Sequence, residues 1–280
     1  MPPSTDVRIR PVRHHGRLVA AALAAFFLAG LLWSLARNPN IHWAVVGKYL
    51  LKDLTLQGVG VTVYLAAISM VIGLAGGVVV AVMRLSRNPV LSSLAWLFIW
   101  IFRGTPVLVQ IIFWGFLGAF YKQISIGIPF TDLTFWSADT NSLVTPMVAA
   151  LLALGLNEMA YSAEIIRAGI LSVDEGQYEA AHSLGMTPGQ TLRRIILPQA
   201  MRMIIPPMGS ETIMMLKTTA LVSVIAGSDL LTNLQQVYAQ NFEVIPLLIV
   251  ASIWYLAMTS LLSIPQYYLE RRYGKGRSRT

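Results

Sequence analysis

The chain reads as an all-α, polytopic membrane protein with about six transmembrane helices, and three observations predict this. Charge is scarce: 12% of the 280 residues are charged and 55% are hydrophobic, whereas a soluble domain carries about 25% charged residues. The apolar runs are long enough to span a bilayer core as helices, which takes about 20 residues each. They far exceed the ~10-residue alternating segments of a membrane barrel, and lipid leaves only helices and closed barrels as spanning structures. Finally, the basic residues flank the apolar runs, as they do when they set membrane orientation. The net charge of +8 therefore points to a lipid bilayer as partner and not to nucleic acid.

In chain order, Arg8, Arg10, Arg13 and Arg17 mark a basic cytoplasmic tail over 1–17, followed by a first span at 18–36. A secretory signal would end in a small-residue cleavage site. Here Trp33 and Arg37-Asn38-Pro39 stand at that point, so the run reads as a retained helix. With an external linker it forms an extra N-terminal segment, 18–54, ahead of a main transmembrane domain at 55–268. Spans two to six fall at 56–82, 90–118, 145–168, 203–226 and 244–264. A tight basic break, Arg84-Leu85-Ser86-Arg87-Asn88-Pro89, separates the second from the third. Residues 119–145 are polar and aromatic (Tyr121, Pro129, Asp132, Trp136), as expected of an interfacial loop. The longest polar insert is 169–202, a shorter one is 227–243, and 269–280 is a second basic tail.

Placing the N-terminus inside puts fifteen of the 21 lysines and arginines on the inner side. Arg37, Lys48, Lys52 and Lys122 then lie outside, and Arg103 and Lys217 lie within spans. This bias predicts a multi-pass membrane protein with both termini cytoplasmic, and makes the insert 169–202 available to a cytoplasmic partner. With no cysteine, disulfides and thiolate metal sites are excluded. The four histidines have no metal-ligand spacing and no nucleophile constellation occurs, so neither a metal site nor an enzyme is expected.

Within the insert, Ser172 and Glu175 have capping-box spacing. Val173, Tyr178, Ala181 and Leu184 form a partial apolar stripe on a short helix that stops at Gly185. A second turn opens at Thr187-Pro188, with proline at a first helical position, and Pro198 is expected to end it. Such a helix either docks into a groove on a partner or lies on lipid headgroups.

The exact residues carry more. Glu179-Ala180-Ala181, three residues, Gly185, nine residues and Ile195-Ile196-Leu197-Pro198 resemble the EAA loop of bacterial ABC importer permeases. Four further motifs agree in order: Phe102-Arg103-Gly104-Thr105-Pro106 with Gln110, the segment 157–167 (NEMAYSAEIIR), Gly176-Gln177, and Leu216-Lys217-Thr218-Thr219. Together, over roughly 55–270, they resemble the branch that takes up histidine, glutamate, glutamine, arginine and opines. The resemblance implies a permease that pairs with an identical or paralogous second permease subunit. Cytoplasmic ABC ATPase subunits would grip the EAA loops, and an extracytoplasmic solute-binding protein would deliver a polar amino acid. By match to the motif, Gly176, Gln177, Glu179, Ala180, Ala181, Gly185, Leu197 and Pro198 are the coupling residues. The chain has no GxxxxGK[ST] loop, so it binds no cofactor itself, and ATP and Mg belong to the partner ATPase.

Ionisable groups inside a span are costly and are candidates for function. Arg103 and Glu158 each lie 13 residues into their spans and Lys217 lies 14, about 20 Å at 1.5 Å per residue, near the middle of a core about 30 Å thick. Gly104 and Pro106 are able to break the helix beside Arg103, and Pro206, Pro207 and Gly209 the one bearing Lys217; broken helices at the midplane commonly build transport sites. An arginine or lysine suits a substrate carboxylate, and a carboxylate suits its ammonium. The candidate substrate residues are Arg103, Gly104, Thr105, Asn157, Glu158, Glu164, Lys217, Thr218 and Thr219. Asn157, Tyr161 and Glu164 share one helix face. Structural alternatives stand beside these roles: Arg103 as a bundle ion pair, Lys217 on exposed carbonyls, and Glu164 held by Arg167 one turn on. Thr218 stands where many relatives have an Asp, which leaves Glu158 or Glu164 for the substrate ammonium. Gly73 and Gly77 fit the GxxxG spacing of close helix contact. The rival function is an ion-coupled secondary transporter, which has no use for an EAA loop.

Overall fold

The computed structural model describes residues 15–128, 131 and 133–274. The two expected basic tails therefore fall partly outside the described residues, as do Pro129 and Asp132 of the external loop. The chain divides after Ala44 into two units. The first holds α1 (His15–Ala36), a 22-residue helix that is long and apolar enough to cross a membrane. It exposes Phe26, Phe27 and Trp33, which suits a helix solvated by lipid.

A short helix, α2 (Trp43–Leu50), crosses the division. It is followed by α3 (Asp53–Leu85), whose 33 residues span about 50 Å, more than a bilayer core is thick. The basic break then starts α4 (Pro89–Gly104): Asn88 accepts from the Val90 amide at 2.9 Å, and Pro89 occupies the first turn, where a missing N–H costs nothing. α4 stops where a proline forces its predecessor out of the helical region, and Thr105 is extended (φ −112°, ψ 142°). α5 (Val107–Gly115) leaves at 98°. This is the break foreseen at Gly104 and Pro106.

The external segment is more ordered than a loop. After the single turn α6 (Leu117–Phe120), β1 (Gln123–Gly127) pairs antiparallel with β2 (Thr134–Asp139). Ile124 faces Ala138 and Ile126 faces Trp136, because both stretches alternate with the period of a strand. A turn, α7 (Thr140–Leu143), capped by Asp139, leads to α8 (Pro146–Leu171), capped by Thr145.

The insert contains α9 (Glu175–Ser183) and the single turn α10 (Pro188–Thr191). A π-helical turn over Leu192–Ile196 passes directly into α11 (Leu197–Thr218). Pro198 thus continues a helix and does not end one: the π-helical turn before it shifts the bonding by one residue, the Leu197 amide donating to the Leu192 carbonyl, and so takes up the place where Pro198 lacks an N–H. Pro206, Pro207 and Gly209 likewise do not break α11. Gln266 Nε2 donates to the Pro206 carbonyl at 2.9 Å, and the amide sits where a side chain on Gly209 would stand. The carbonyls that Pro206 and Pro207 leave without an N–H are those of Arg202 and Met203, and the contact from Gln266 instead ties α13 to α11 one turn further on. The break comes later, where a 3₁₀ segment, Thr219–Ile225, precedes α12 (Leu230–Asn241), so the expected polar loop 227–243 is mostly helix. The last helix is α13 (Val244–Tyr273).

Among the described residues four helices are long and apolar enough to cross a membrane, and the number rises to six when each bent pair is one span: α4 with α5, and Pro188–Ile225 with α12. The core is centred on α3 and α8. Their close packing depends on the GxxxG glycines: a Cβ at Gly73 would collide with Glu158, and one at Gly77 would come within 2.6 Å of the Ser162 Cβ.

Candidate functional site

A cavity of about 560 Å³ opens beside the α4–α5 break. The break itself explains much of its lining. The Phe102 carbonyl would normally accept from residue 106, but Pro106 has no N–H, so the acceptor must find another donor. Asn157 Nδ2 donates to it at 2.9 Å and Gln110 Nε2 at 3.0 Å. Gln110, buried on α5, also donates to the Thr105 carbonyl and hydroxyl at 3.2 and 2.9 Å. Asn157 and Gln110 thus hold the elbow open.

Around the elbow the charged groups converge. Arg103, at the end of α4, lies over the Tyr161 ring, 5.0 Å from its centroid, and its side chain is 42% exposed. Glu158 of α8 is 3% exposed and accepts from the Ser162 hydroxyl at 2.8 Å. Glu211 reaches the cavity from α11, as does Thr218, whose hydroxyl donates to the Met214 carbonyl at 3.0 Å. The cavity therefore offers one guanidinium and two carboxyl groups among apolar walls.

Of the nine residues foreseen, Arg103, Gly104, Thr105, Asn157, Glu158 and Thr218 line this cavity. Glu164 lies apart from it: Arg167 holds it through two hydrogen bonds, at 3.0 and 2.8 Å, and Arg103 approaches to 3.9 Å. Lys217 is exposed and outside the lining, and Thr219 is buried with its hydroxyl donating to the Leu216 carbonyl at 2.7 Å. Of the lining residues outside the nine, Glu211 and Tyr161 are the polar ones. Glu211 had a signal available, an acidic residue six positions before Lys217 inside the same span.

The second candidate region is the polar insert. Its helix is capped by Asp174, whose Oδ1 accepts from the Gly176 amide at 2.9 Å. Ser172 is not the cap, because α8 runs to Leu171 and uses Ser172 to close its own end, the hydroxyl donating to the Gly169 carbonyl at 2.7 Å. Gly176, Gln177, Glu179 and Ala180 are exposed, while Ala181 is buried. Leu184 is 81% exposed at the tip. Gly185 follows in the left-handed region (φ 73°) with open space around it. Thr187 and Gln190 form a complete capping box on α10, and Gln199 ties α11 back to Gln177 at 3.3 Å. Leu197 is half-buried and Pro198 exposed at the start of α11.

Residues 73–275 match the model of the family described as binding-protein-dependent transport system inner membrane component. The chain is 46% identical over 276 residues to the arginine transport system permease protein ArgU of Corynebacterium glutamicum, covering 98% of this chain and 85% of that protein. It is 38% identical to the nopaline transport system permease protein NocM of Agrobacterium fabrum, covering 74% of this chain and 83% of that one. Among solved structures, a crystal structure of an amino acid ABC transporter with histidines superposes with a TM-score of 0.65 at 36% identity, covering 78% of this chain and 94% of that one. The methionine ABC transporter MetNI shares the fold, with a TM-score of 0.56 at 19% identity over 79% of this chain and 96% of that one.

Proposed function

Because the chain belongs to the family of binding-protein-dependent transport system inner membrane components, we propose that it is the permease subunit of an ATP-driven importer for a basic amino acid. The observation that carries the substrate class is the cavity, which sets Arg103 against Glu158 and Glu211. A guanidinium suits an α-carboxylate, and two carboxyl groups suit the α-ammonium and a second cationic group on the side chain. The likeness to permeases named for arginine and nopaline supports the same class.

The exposed helix α9 and its tip are the docking surface for a cytoplasmic ABC ATPase, with Gly176, Gln177, Glu179, Ala180, Ala181, Gly185, Leu197 and Pro198 as the coupling set. ATP and Mg are held by that partner. A binding protein outside the cell delivers the substrate, a second permease completes the membrane path, and both termini face the cytoplasm. The permease does no bond-making chemistry. Its cavity orients the substrate, and the insert passes ATPase closure to α8 and α11, between which it is strung.

The test is uptake by vesicles holding permease, ATPase and binding protein. Labelled arginine should enter only with ATP, and an uncoupler should leave uptake unchanged while ATP is held constant. Loss of uptake to the uncoupler would favour the ion-coupled rival. Arg103→Gln and Glu211→Gln should each weaken equilibrium arginine binding by about 10- to 150-fold, the equivalent of one charge-assisted hydrogen bond of 1.5–3 kcal/mol. Unchanged binding in both would remove the cavity as the substrate site.

A further inference from the structure

A second cleft, of about 460 Å³, adjoins the first and shares Arg103, Gly104 and Tyr161 with it. Its polar lining is unequal: three guanidiniums, of Arg84, Arg103 and Arg167, surround one carboxylate, that of Glu164. Arg167 engages both oxygens of Glu164, so their charges offset each other. Arg103 only reaches 3.9 Å from the same carboxylate, and Arg84 donates to the neutral Ser92 hydroxyl at 2.8 Å. Three guanidiniums thus share one carboxylate, and the cleft carries an excess of two positive charges.

The cleft also has a direction. Arg84 is the penultimate residue of α3, Ser92 lies in the first turn of α4, and Arg167 is four residues from the end of α8. These termini lie at the end of the bundle from which the insert with α9 departs. Along α8, Glu158 of the first cavity and Arg167 of the second are nine residues apart, about 14 Å. Arg103 stands between the two spaces and lines both.

We propose that this cleft is a second carboxylate station on the way out of the cavity. Arg103 holds the substrate α-carboxylate in the first cavity, and the carboxylate then passes to Arg84 at the α9 end while the substrate ammonium leaves Glu158 and Glu211. The excess guanidiniums lower the barrier for moving an anion out of a low-dielectric cavity, and Glu164 keeps the station from binding so tightly that release stalls. The station rests on the cavity reading above.

The experiment compares uptake rate in vesicles with equilibrium arginine binding to the detergent-purified permease–ATPase complex. Arg84→Gln should slow uptake about ten-fold, within the range of one charge-assisted contact, while binding in the first cavity stays within about two-fold. Arg84→Lys should recover most of the rate. Ser92→Ala, which removes the neutral partner but keeps the charge, should import normally. Wild-type uptake by Arg84→Gln would overturn the station. So would an equal slowing by Ser92→Ala, since Arg84 would then merely pin the α3–α4 turn. A defect seen only in vesicles containing phosphatidylglycerol, and absent in pure phosphatidylcholine, would make the cleft a lipid headgroup site and overturn it as well. Unchanged binding and uptake in Arg103→Gln would instead remove the cavity reading, and the station with it.

Discussion

Glu211, Lys217 and Thr218 lie within about two turns of α11 but meet different surroundings. Residues seven apart on a helix point almost the same way, so Glu211 and Thr218 line the cavity together. Lys217 lies six positions from Glu211, about 240° around the helix, and is exposed on the subunit surface. An ammonium at that depth is costly against lipid, which supports a second permease covering this face. Lys217→Met should therefore reduce the yield of assembled complex, measured by size-exclusion of the detergent extract, and leave equilibrium arginine binding to the remaining complex unchanged. Full assembly with weakened binding would return Lys217 to the substrate site.

At the scale of elements, the insert works through its ends. Asp174, Gly185 and Thr187 fix where α9 starts, where it stops and how α10 resumes. Gly185 has free space around it, so a substitution there tests backbone conformation and not a clash. A β-branched residue in the left-handed region costs roughly 1–2 kcal/mol. Gly185→Val should leave thermal stability of the transmembrane core within a few degrees, yet lower the ATPase stimulation produced by loaded binding protein in vesicles. Undiminished stimulation would mean that α9 is not the coupling element. The helix α11 follows the same logic in reverse. Its two internal prolines look like breakers in sequence, but the helix runs through them, tied to α13 by Gln266, and the bend comes at the 3₁₀ segment beyond.

For the whole molecule, the proposed orientation with both termini inside rests on where arginine and lysine stand along the chain. An alkaline phosphatase reporter inserted at Thr131, between β1 and β2, should be active. A green fluorescent protein fused after Thr280 should fluoresce. The opposite pattern at both sites would put α9 outside the cell and end its role with an ATPase. In that proposed orientation the Ile126 and Trp136 pair of the hairpin would meet the outer membrane boundary, where aromatic residues favour the headgroup layer.

Sequence by itself determined the class, the apolar spans and the position of the long polar insert, because hydropathy, charge bias and helix punctuation are local properties of the chain. It also located the elbow at Gly104 and Pro106, since proline acts on its immediate neighbours. Only the tertiary structure decided which charged residues meet. Periodicity gives the angle between Glu211 and Lys217 but not which face α11 turns inward, and that depends on the glycines that bring α3 against α8 and on Gln266 across from Pro206. It likewise decided that Glu164 belongs to a cleft of arginines and not to the cavity, because Arg84 and Arg103, on the consecutive helices α3 and α4, meet Glu164 of the sequence-distant α8 only once packed.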